Sequence, residues 1–110
     1  MLTDEYRYRI LKLLENNPTA SQREIARELG VSLGRVNYCL QALVEKGFVK
    51  AGNFRHSSDK RAYLYMLTPT GIEAKAKITV KFLKVKMSEY ENLKKEVADL
   101  RREAASLKRQ

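Results

Sequence analysis

The segment from residue 32 to residue 41 contains Arg35, Asn37 and Gln41 within seven positions. Arginine can donate two hydrogen bonds to guanine, and asparagine or glutamine can pair with adenine, in the major groove of DNA. Gly34 adds a position without a side chain, where the backbone can approach a partner closely. The segment therefore predicts a base-reading helix, whose candidate contacts are Ser32, Leu33, Gly34, Arg35, Asn37, Tyr38 and Gln41.

Two further groups of polar residues have the chemistry to hold phosphate. Ser21, Gln22 and Arg23 open a predicted helix, where free N–H groups and the helix dipole favour an anion. The second group surrounds a predicted turn, and its Arg and Lys side chains suit a minor groove or a sugar-phosphate backbone. A solvated loop tip is the alternative for this second group. Its members are Arg55, His56, Ser57, Ser58, Lys60 and Arg61.

The elements that position these residues start and stop at cap signals. A first helix is predicted at about 4–16, since a Thr cap and two acidic residues mark its start. A Ser-x-x-Glu capping box at Ser21 starts a short second helix, which Gly30 ends. Ser32 is predicted to cap a third, longer helix at about 32–46. This order, with a tight glycine turn between the last two helices, is typical of a helix-turn-helix.

The apolar residues of these helices recur at helical spacing and predict three faces turned into one core. Cys39 lies beside the third face, so we expect a small buried thiol rather than a redox switch, for which the sequence offers no second cysteine. The predicted inward residues are Tyr6, Ile10, Leu13, Leu14, Ile25, Ala26, Leu29, Val36, Leu40, Leu43 and Val44.

Beyond the third helix, the segments 48–55 and 61–67 are rich in aromatic and branched residues and flank a polar stretch. This pattern predicts a β-hairpin with a charged tip. A Thr-Pro pair then starts a helix at Pro69 that can run nearly to the C-terminus, since no further proline follows.

The C-terminal helix carries a heptad repeat whose charges favour a parallel partner. Its apolar positions alternate at spacings of three and four residues, at Tyr90, Leu93, Val97, Leu100, Ala104 and Leu107. In a parallel pair the flanking charges attract across the interface, as Glu89 to Lys94, Glu96 to Arg101 and Glu103 to Lys108. We expect the interface to continue backwards through Leu83, Phe82 and Ile72. The alternative is a solvated helix with locally paired charges.

These elements together predict a fold that is mainly α with a small β-hairpin. Residues 1–68 are assigned to a winged helix-turn-helix, and residues 69–110 to one long C-terminal helix that forms a dimeric coiled coil.

The net charge of +9 is concentrated in the middle of the chain. Residues 48–88 carry nine Lys and Arg against two Asp and Glu, a concentration that favours a nucleic-acid footprint. Five lysines of this stretch lie on the predicted long helix and either follow a DNA backbone, bind another anion or simply face solvent. They are Lys75, Lys77, Lys81, Lys84 and Lys86.

Several function classes are disfavoured by composition. With Cys39 and His56 each alone of their type, the chain cannot form an internal disulfide, and we expect neither a metal site nor a cofactor. A Gly-rich phosphate loop and a Ser/His/Asp set are both missing, which argues against an enzyme. No apolar run approaches the roughly 18 residues of a membrane span. The polar, acidic N-terminus is unlike a signal peptide, so we expect a cytoplasmic protein.

The motifs at residues 22–32, 59–61 and 67–71 together resemble the MarR-type winged helix-turn-helix regulators. The resemblance covers about residues 4–75 and, more loosely, extends to a small subgroup found with exopolysaccharide biosynthesis genes. It implies that Arg61 enters the minor groove and that Asp59 orients it or a neighbouring arginine. Typical members also have an extra N-terminal helix and a final helix that build a dimer domain, often with an effector pocket. This chain departs from that pattern, so an effector stays unknown.

Together these observations predict a homodimeric regulator of transcription that binds double-stranded DNA at an inverted repeat. One alternative is a winged-helix adaptor that docks on another protein and assembles through its coiled coil. Another is binding of RNA or anionic lipid through the lysine-rich helix, which would survive the removal of Arg35 and Arg61.

Overall fold

A computed structural model of the chain describes residues 3–52 and 63–109. Three helices are followed by a two-stranded antiparallel sheet and a long fourth helix. The elements are α1 (Asp4–Asn16), α2 (Gln22–Leu29), α3 (Leu33–Glu45), β1 (Val49–Ala51), β2 (Tyr65–Leu67) and α4 (Pro69–Lys108). The predicted fold class, mainly α with a small β-hairpin and one long C-terminal helix, is confirmed, and the dimeric coiled coil stays a prediction.

The helix boundaries follow from the predicted caps. The Thr3 hydroxyl accepts from the Tyr6 N–H at 3.3 Å, and the Ser21 hydroxyl accepts from the Glu24 N–H at 3.2 Å. The Glu24 carboxylate accepts in return from the Ser21 N–H, which completes the capping box. Gly30 ends α2 with a φ of 67°, a left-handed conformation that glycine adopts without strain. Each such N-cap stabilises its helix by about 1 kcal/mol.

The sheet is shorter than the sequence predicts. In the described part of the predicted segments 48–55 and 61–67, strand pairing covers only the three residue pairs from Val49–Leu67 to Ala51–Tyr65. The reason lies at Leu64, whose N–H donates at 2.9 Å to the carbonyl of Pro18 in the α1–α2 connection instead of to β1.

Most of the core comes from the three short helices and β1, with three corrections to the predicted set. Tyr6 was predicted to face inward but is not part of the core. Leu11 is completely buried although it was not among the predicted inward residues, and Val44 is 38% exposed although it was. On α1 the buried face runs through Ile10, Leu11 and Leu14, so Leu13 packs only partly against the core. Val44 lies at the edge of the α3 face and lines a surface cavity instead.

The start of α4 is fastened to the α3–β1 turn by a Thr-x-x-Gly arrangement. The Thr68 hydroxyl donates to the Gly47 carbonyl and accepts from the Gly71 N–H, and the Thr68 N–H donates to the Phe48 carbonyl. Gly71 is buried so close to this turn that an added Cβ would overlap the Phe48 carbonyl oxygen. This position therefore requires glycine for packing rather than for a special backbone angle.

The chain separates into two compact units, the first ending at Thr79 and the second beginning at Val80. The sequence-based boundary at 68/69 coincides with the start of α4, whereas the units divide within that helix. In the first unit Ile78 is buried, and the Lys75 ammonium lies 2.8 Å from the Glu15 carboxylate of α1. In the second unit every described residue except Phe82 is exposed. In the part of the chain that the structure describes, none of the helices has the continuous apolar stretch that a membrane span needs.

Candidate nucleic-acid interface

One face of α3 is turned to solvent while the other is buried. Val36, Leu40 and Leu43 lie in the core, which leaves the predicted base-reading residues on the opposite side. Tyr38 is 60% exposed and Leu33 is 43% exposed, so both side chains are accessible on this face. The exposed members of the predicted set are Ser32, Leu33, Gly34, Arg35, Tyr38 and Gln41.

The Arg35 side chain is held in place by an aromatic ring of another helix. Its guanidinium lies over the Tyr6 ring of α1, 4.3 Å from the ring centroid, which is a cation–π contact. Its backbone N–H donates to the Ser32 hydroxyl, the cap of α3. The sequence assigned Tyr6 to the apolar face of α1, and neither spacing nor composition indicated this pairing across 29 positions.

The fold does not require a glycine at position 34. A Cβ added there would meet nothing within 4 Å, and the residue is exposed in the first turn of α3. Gly30 and Gly47, by contrast, both have positive φ angles. Alanine would be the better helix former at position 34 by up to about 1 kcal/mol. The glycine thus leaves a smooth stretch of helix surface beside Arg35.

Gln22 and Asn37 are half-buried and hydrogen-bonded within the protein. The Asn37 side-chain NH2 donates to the Gln22 side-chain carbonyl at 3.2 Å. The Gln22 side-chain NH2 donates to the Tyr65 hydroxyl at 2.9 Å. These three residues, which we call the amide–phenol triad, join the start of α2, the middle of α3 and β2. Tyr65 was not among the predicted site residues.

Of the other residues predicted to bind phosphate, those at the start of α2 lie within the described part of the chain. At the start of α2, the Ser21 hydroxyl serves the capping box, and Arg23 is exposed. The predicted hairpin-tip contacts lie outside the described residues, and so does Asp59, the predicted orienting residue. These contacts are Arg55, His56, Ser57, Lys60 and Arg61.

The lysine series on α4 is partly committed to ion pairs. Lys75 pairs with Glu15, Lys77 lies 3.6 Å from Glu73, and Lys86 lies 3.2 Å from Glu89. Such ion pairs reduce the positive potential of these lysines, but the lysines stay accessible to solvent.

Cys39 is buried, as the sequence predicts. Burial raises the pKa of its thiol, and the nearby positive charge of Arg35 opposes the shift only in part. Raising the pKa suppresses the thiolate, which is the reactive form. Among the described residues no cluster of His, Cys, Asp and Glu has the makings of a metal site.

The heptad positions of the second unit are solvent-exposed. Leu93, Leu100 and Leu107 are each more than half exposed, and Val97 is 39% exposed. Within the helix itself the flanking charges make only local contacts, such as the ion pair of Lys94 with Glu91 at 3.9 Å.

The family model described as winged helix-turn-helix DNA-binding matches residues 3–50, which span α1, α2, α3 and the start of β1. The matched residues contain the helix-turn-helix formed by α2 and α3, and the hairpin of β1 and β2 follows it. A comparison with curated protein sequences finds no match.

Solved structures extend the similarity to a named group of regulators. The chain is 26% identical to a MarR/EmrR family transcriptional regulator from Acinetobacter sp. ADP1, with a TM-score of 0.59, over 76% of this chain and 56% of that one. It is 33% identical to the transcriptional repressor CouR bound to a 23-mer DNA duplex, with a TM-score of 0.56, over 72% of this chain and 54% of that one. The chain is MarR-like.

A third solved structure is similar in fold over a larger share of the MarR-like chain. MepR from S. aureus, in a DNA complex, is 22% identical, with a TM-score of 0.63, over 96% of this chain and 80% of that one. The predicted resemblance to MarR-type regulators is confirmed, and the link to the exopolysaccharide subgroup stays a prediction. The chain spans little more than half of the Acinetobacter regulator and of CouR.

Proposed function

We propose that this MarR-like chain is a sequence-specific regulator of transcription that binds double-stranded DNA as a homodimer. The observation that carries the proposal is the exposed face of α3, where Gly34, Arg35, Tyr38 and Gln41 stand on a helix-turn-helix that matches a DNA-binding family. The resemblance to CouR, a repressor whose structure was solved on a DNA duplex, supports the same conclusion.

In this proposal α3 lies in the major groove with its N-terminal half towards the bases. Arg35 donates to a guanine, Gln41 pairs with an adenine, and Gly34 lets the helix approach the duplex. Ser21 and Arg23 lie against a phosphate at the start of α2. Arg61, with Asp59 as its orienting partner, belongs to the wing contact with the minor groove.

The second half of the proposal is a parallel homodimer through the C-terminal helix. A single helix in water cannot cover its own leucines, and a second copy offers the same stripe with complementary charges. Lys94, Arg101 and Lys108 of one protomer then lie beside glutamates of its partner. The proposed dimerisation residues are Leu83, Tyr90, Leu93, Val97, Leu100, Ala104 and Leu107.

The exposed apolar residues support a longer interface than three heptads. A strict heptad continued backwards from Leu93 places Lys86 in the seam, whereas Val80, Leu83 and Met87 are exposed and precede Tyr90 at spacings of three, four and three residues. Consecutive three-residue steps at Tyr90 and Leu93 form a stammer, which overwinds a coiled coil locally without ending it. Two-fold symmetry of such a dimer places half-sites about one helical turn, roughly 34 Å, apart in an inverted repeat.

Fluorescence anisotropy with the DNA upstream of the chain's own gene tests the proposal against a scrambled duplex. We expect binding at least about a thousandfold tighter to the upstream DNA than to the scrambled duplex. Arg35→Ala should remove most of that difference. Arg109→Ala, which removes the same charge from an exposed position of the second unit, should preserve it.

Two outcomes would contradict this function. Equal binding to both duplexes with a steep salt dependence would indicate a backbone binder without sequence specificity. Absence of binding to either duplex at low salt would favour the adaptor that docks on another protein.

A further inference from the structure

The amide–phenol triad connects three elements that a winged helix must hold in register. Gln22 is the first residue of α2, Asn37 lies in α3, and Tyr65 opens β2, the strand that returns from the wing. Both polar ends of the Gln22 amide are occupied, one by each neighbour. The amide is thereby fixed in orientation, and the side chain ties α3 to β2.

The backbone around the triad is fixed independently of it. The capping box at Ser21 sets the first turn of α2, and Tyr65 pairs with Ala51 across the sheet. The Tyr65 N–H also donates at 3.2 Å to the Pro18 carbonyl, and its ring packs partly against the core. Loss of the hydroxyl alone therefore leaves the elements in place and removes only their polar connection.

We infer that Tyr65 is a positioning residue for sequence recognition, acting through Gln22 and Asn37. This inference rests on the proposed function and changes the role of Gln22 from a DNA contact to a link within the protein. A reading helix and a wing that are held in one arrangement before binding lose less conformational freedom when both contact DNA. Base-specific hydrogen bonds tolerate little misplacement, whereas contacts with phosphate tolerate more.

The amide–phenol triad differs in charge and in exposure from the residues proposed to contact DNA directly. Arg35 is a cation on an exposed part of α3, so its loss weakens binding by removing a contact. The triad is neutral and half-buried, so its loss should leave the phosphate contacts and their salt dependence unchanged.

The test compares Tyr65→Phe with the unchanged protein. We expect the ratio of upstream to scrambled affinity to fall by about three- to tenfold, the range for one net hydrogen bond. Affinity for the scrambled duplex, its salt dependence and the dimerisation constant should not change. The matched control is Tyr63→Phe, which removes a hydroxyl two residues away that makes no hydrogen bond to any described residue.

A double-mutant cycle distinguishes a link from a contact. If Tyr65 acts through Gln22, then Gln22→Ala and Tyr65→Phe each lower the ratio, and the double variant is no worse than Gln22→Ala alone. Additive losses, or a weaker affinity of Gln22→Ala for the scrambled duplex, would show that Gln22 contacts DNA directly and would overturn the inference. An unchanged ratio for Tyr65→Phe would also overturn it.

A measurement without DNA distinguishes failure of the inference on Tyr65 from failure of the proposed function. In ¹⁵N-labelled protein, Tyr65→Phe should shift the side-chain amide resonances of Gln22 and Asn37 while leaving that of Gln110 in place. Unshifted Gln22 and Asn37 resonances would exclude the triad. If the triad forms but the unchanged protein prefers neither duplex, it is the regulator function that is wrong, and the inference is overturned with it.

Discussion

The two compact units of this chain differ in where their apolar side chains lie. In the unit that ends at Thr79, residues from α1, α2, α3 and β1 are buried against one another. In the unit that begins at Val80, leucines at heptad spacing are exposed. Apolar burial is the main favourable term in both folding and association. The first unit therefore buries its own apolar side chains, whereas the second leaves them exposed to the partner copy that we propose.

Matched Leu→Ala substitutions give the largest expected effect and test this difference directly. Leu43 is completely buried, so Leu43→Ala should lower the free energy of unfolding by about 2–5 kcal/mol at any protein concentration. Leu100 is 62% exposed, so Leu100→Ala should leave the stability of the monomer unchanged and weaken dimerisation. Urea unfolding and sedimentation equilibrium at several concentrations measure the two quantities. A concentration-independent loss of stability in Leu100→Ala would contradict the comparison.

Two glycines make a second matched pair within the first unit. Gly71→Ala places a Cβ on the Phe48 carbonyl, so we expect a loss of about 1–3 kcal/mol in thermal or urea unfolding. Gly34→Ala meets no neighbouring atom and should raise stability by up to about 1 kcal/mol while weakening binding to DNA. An equally stable Gly71→Ala protein would mean that the start of α4 does not depend on this close approach.

The sequence was sufficient for features that neighbouring residues determine. The caps at Thr3, Ser21 and Ser32 and the end of α2 at Gly30 are local hydrogen-bonding and backbone effects, and all four were predicted correctly. The heptad spacing is local too, although its dimer stays a prediction.

The rest depends on contacts between residues far apart in the chain. The pairing of Arg35 with Tyr6 and the link from Gln22 to Tyr65 join different elements, and one sequence contains no periodic signal for either. The shortening of β2 depends likewise on the Pro18 carbonyl. Residues such as Leu11 and Val44 lie at the borders of helical faces, where spacing alone cannot separate buried from exposed.

Charge reversal in the second unit tests whether that unit determines self-association. Glu96→Lys turns two attractions of a parallel dimer into repulsions and should weaken self-association by about 1 kcal/mol, with little change in the unfolding of the first unit. Arg101→Glu should act similarly, and mixing the two variants should restore association as a heterodimer. Sedimentation equilibrium at low salt measures both. An antiparallel pair would not show rescue on mixing.

The smallest effect is expected when two cation–π contacts, one in each unit, are removed and compared. Lys94 lies 5.2 Å from the Tyr90 ring one turn earlier on the same helix, whereas Arg35 and Tyr6 belong to different helices. Tyr6→Leu should free the guanidinium and weaken specific DNA binding by about two- to fivefold, since such a contact is worth about 0.5–1 kcal/mol at an exposed site. Tyr6→Phe keeps a ring and should bind like the unchanged protein in anisotropy titrations. Tyr90→Leu loses the local contact but keeps an apolar seam residue, so dimerisation and DNA binding should change little. If Tyr6→Leu and Tyr6→Phe bind alike, the ring does not position Arg35, and the arginine reaches DNA without help from α1.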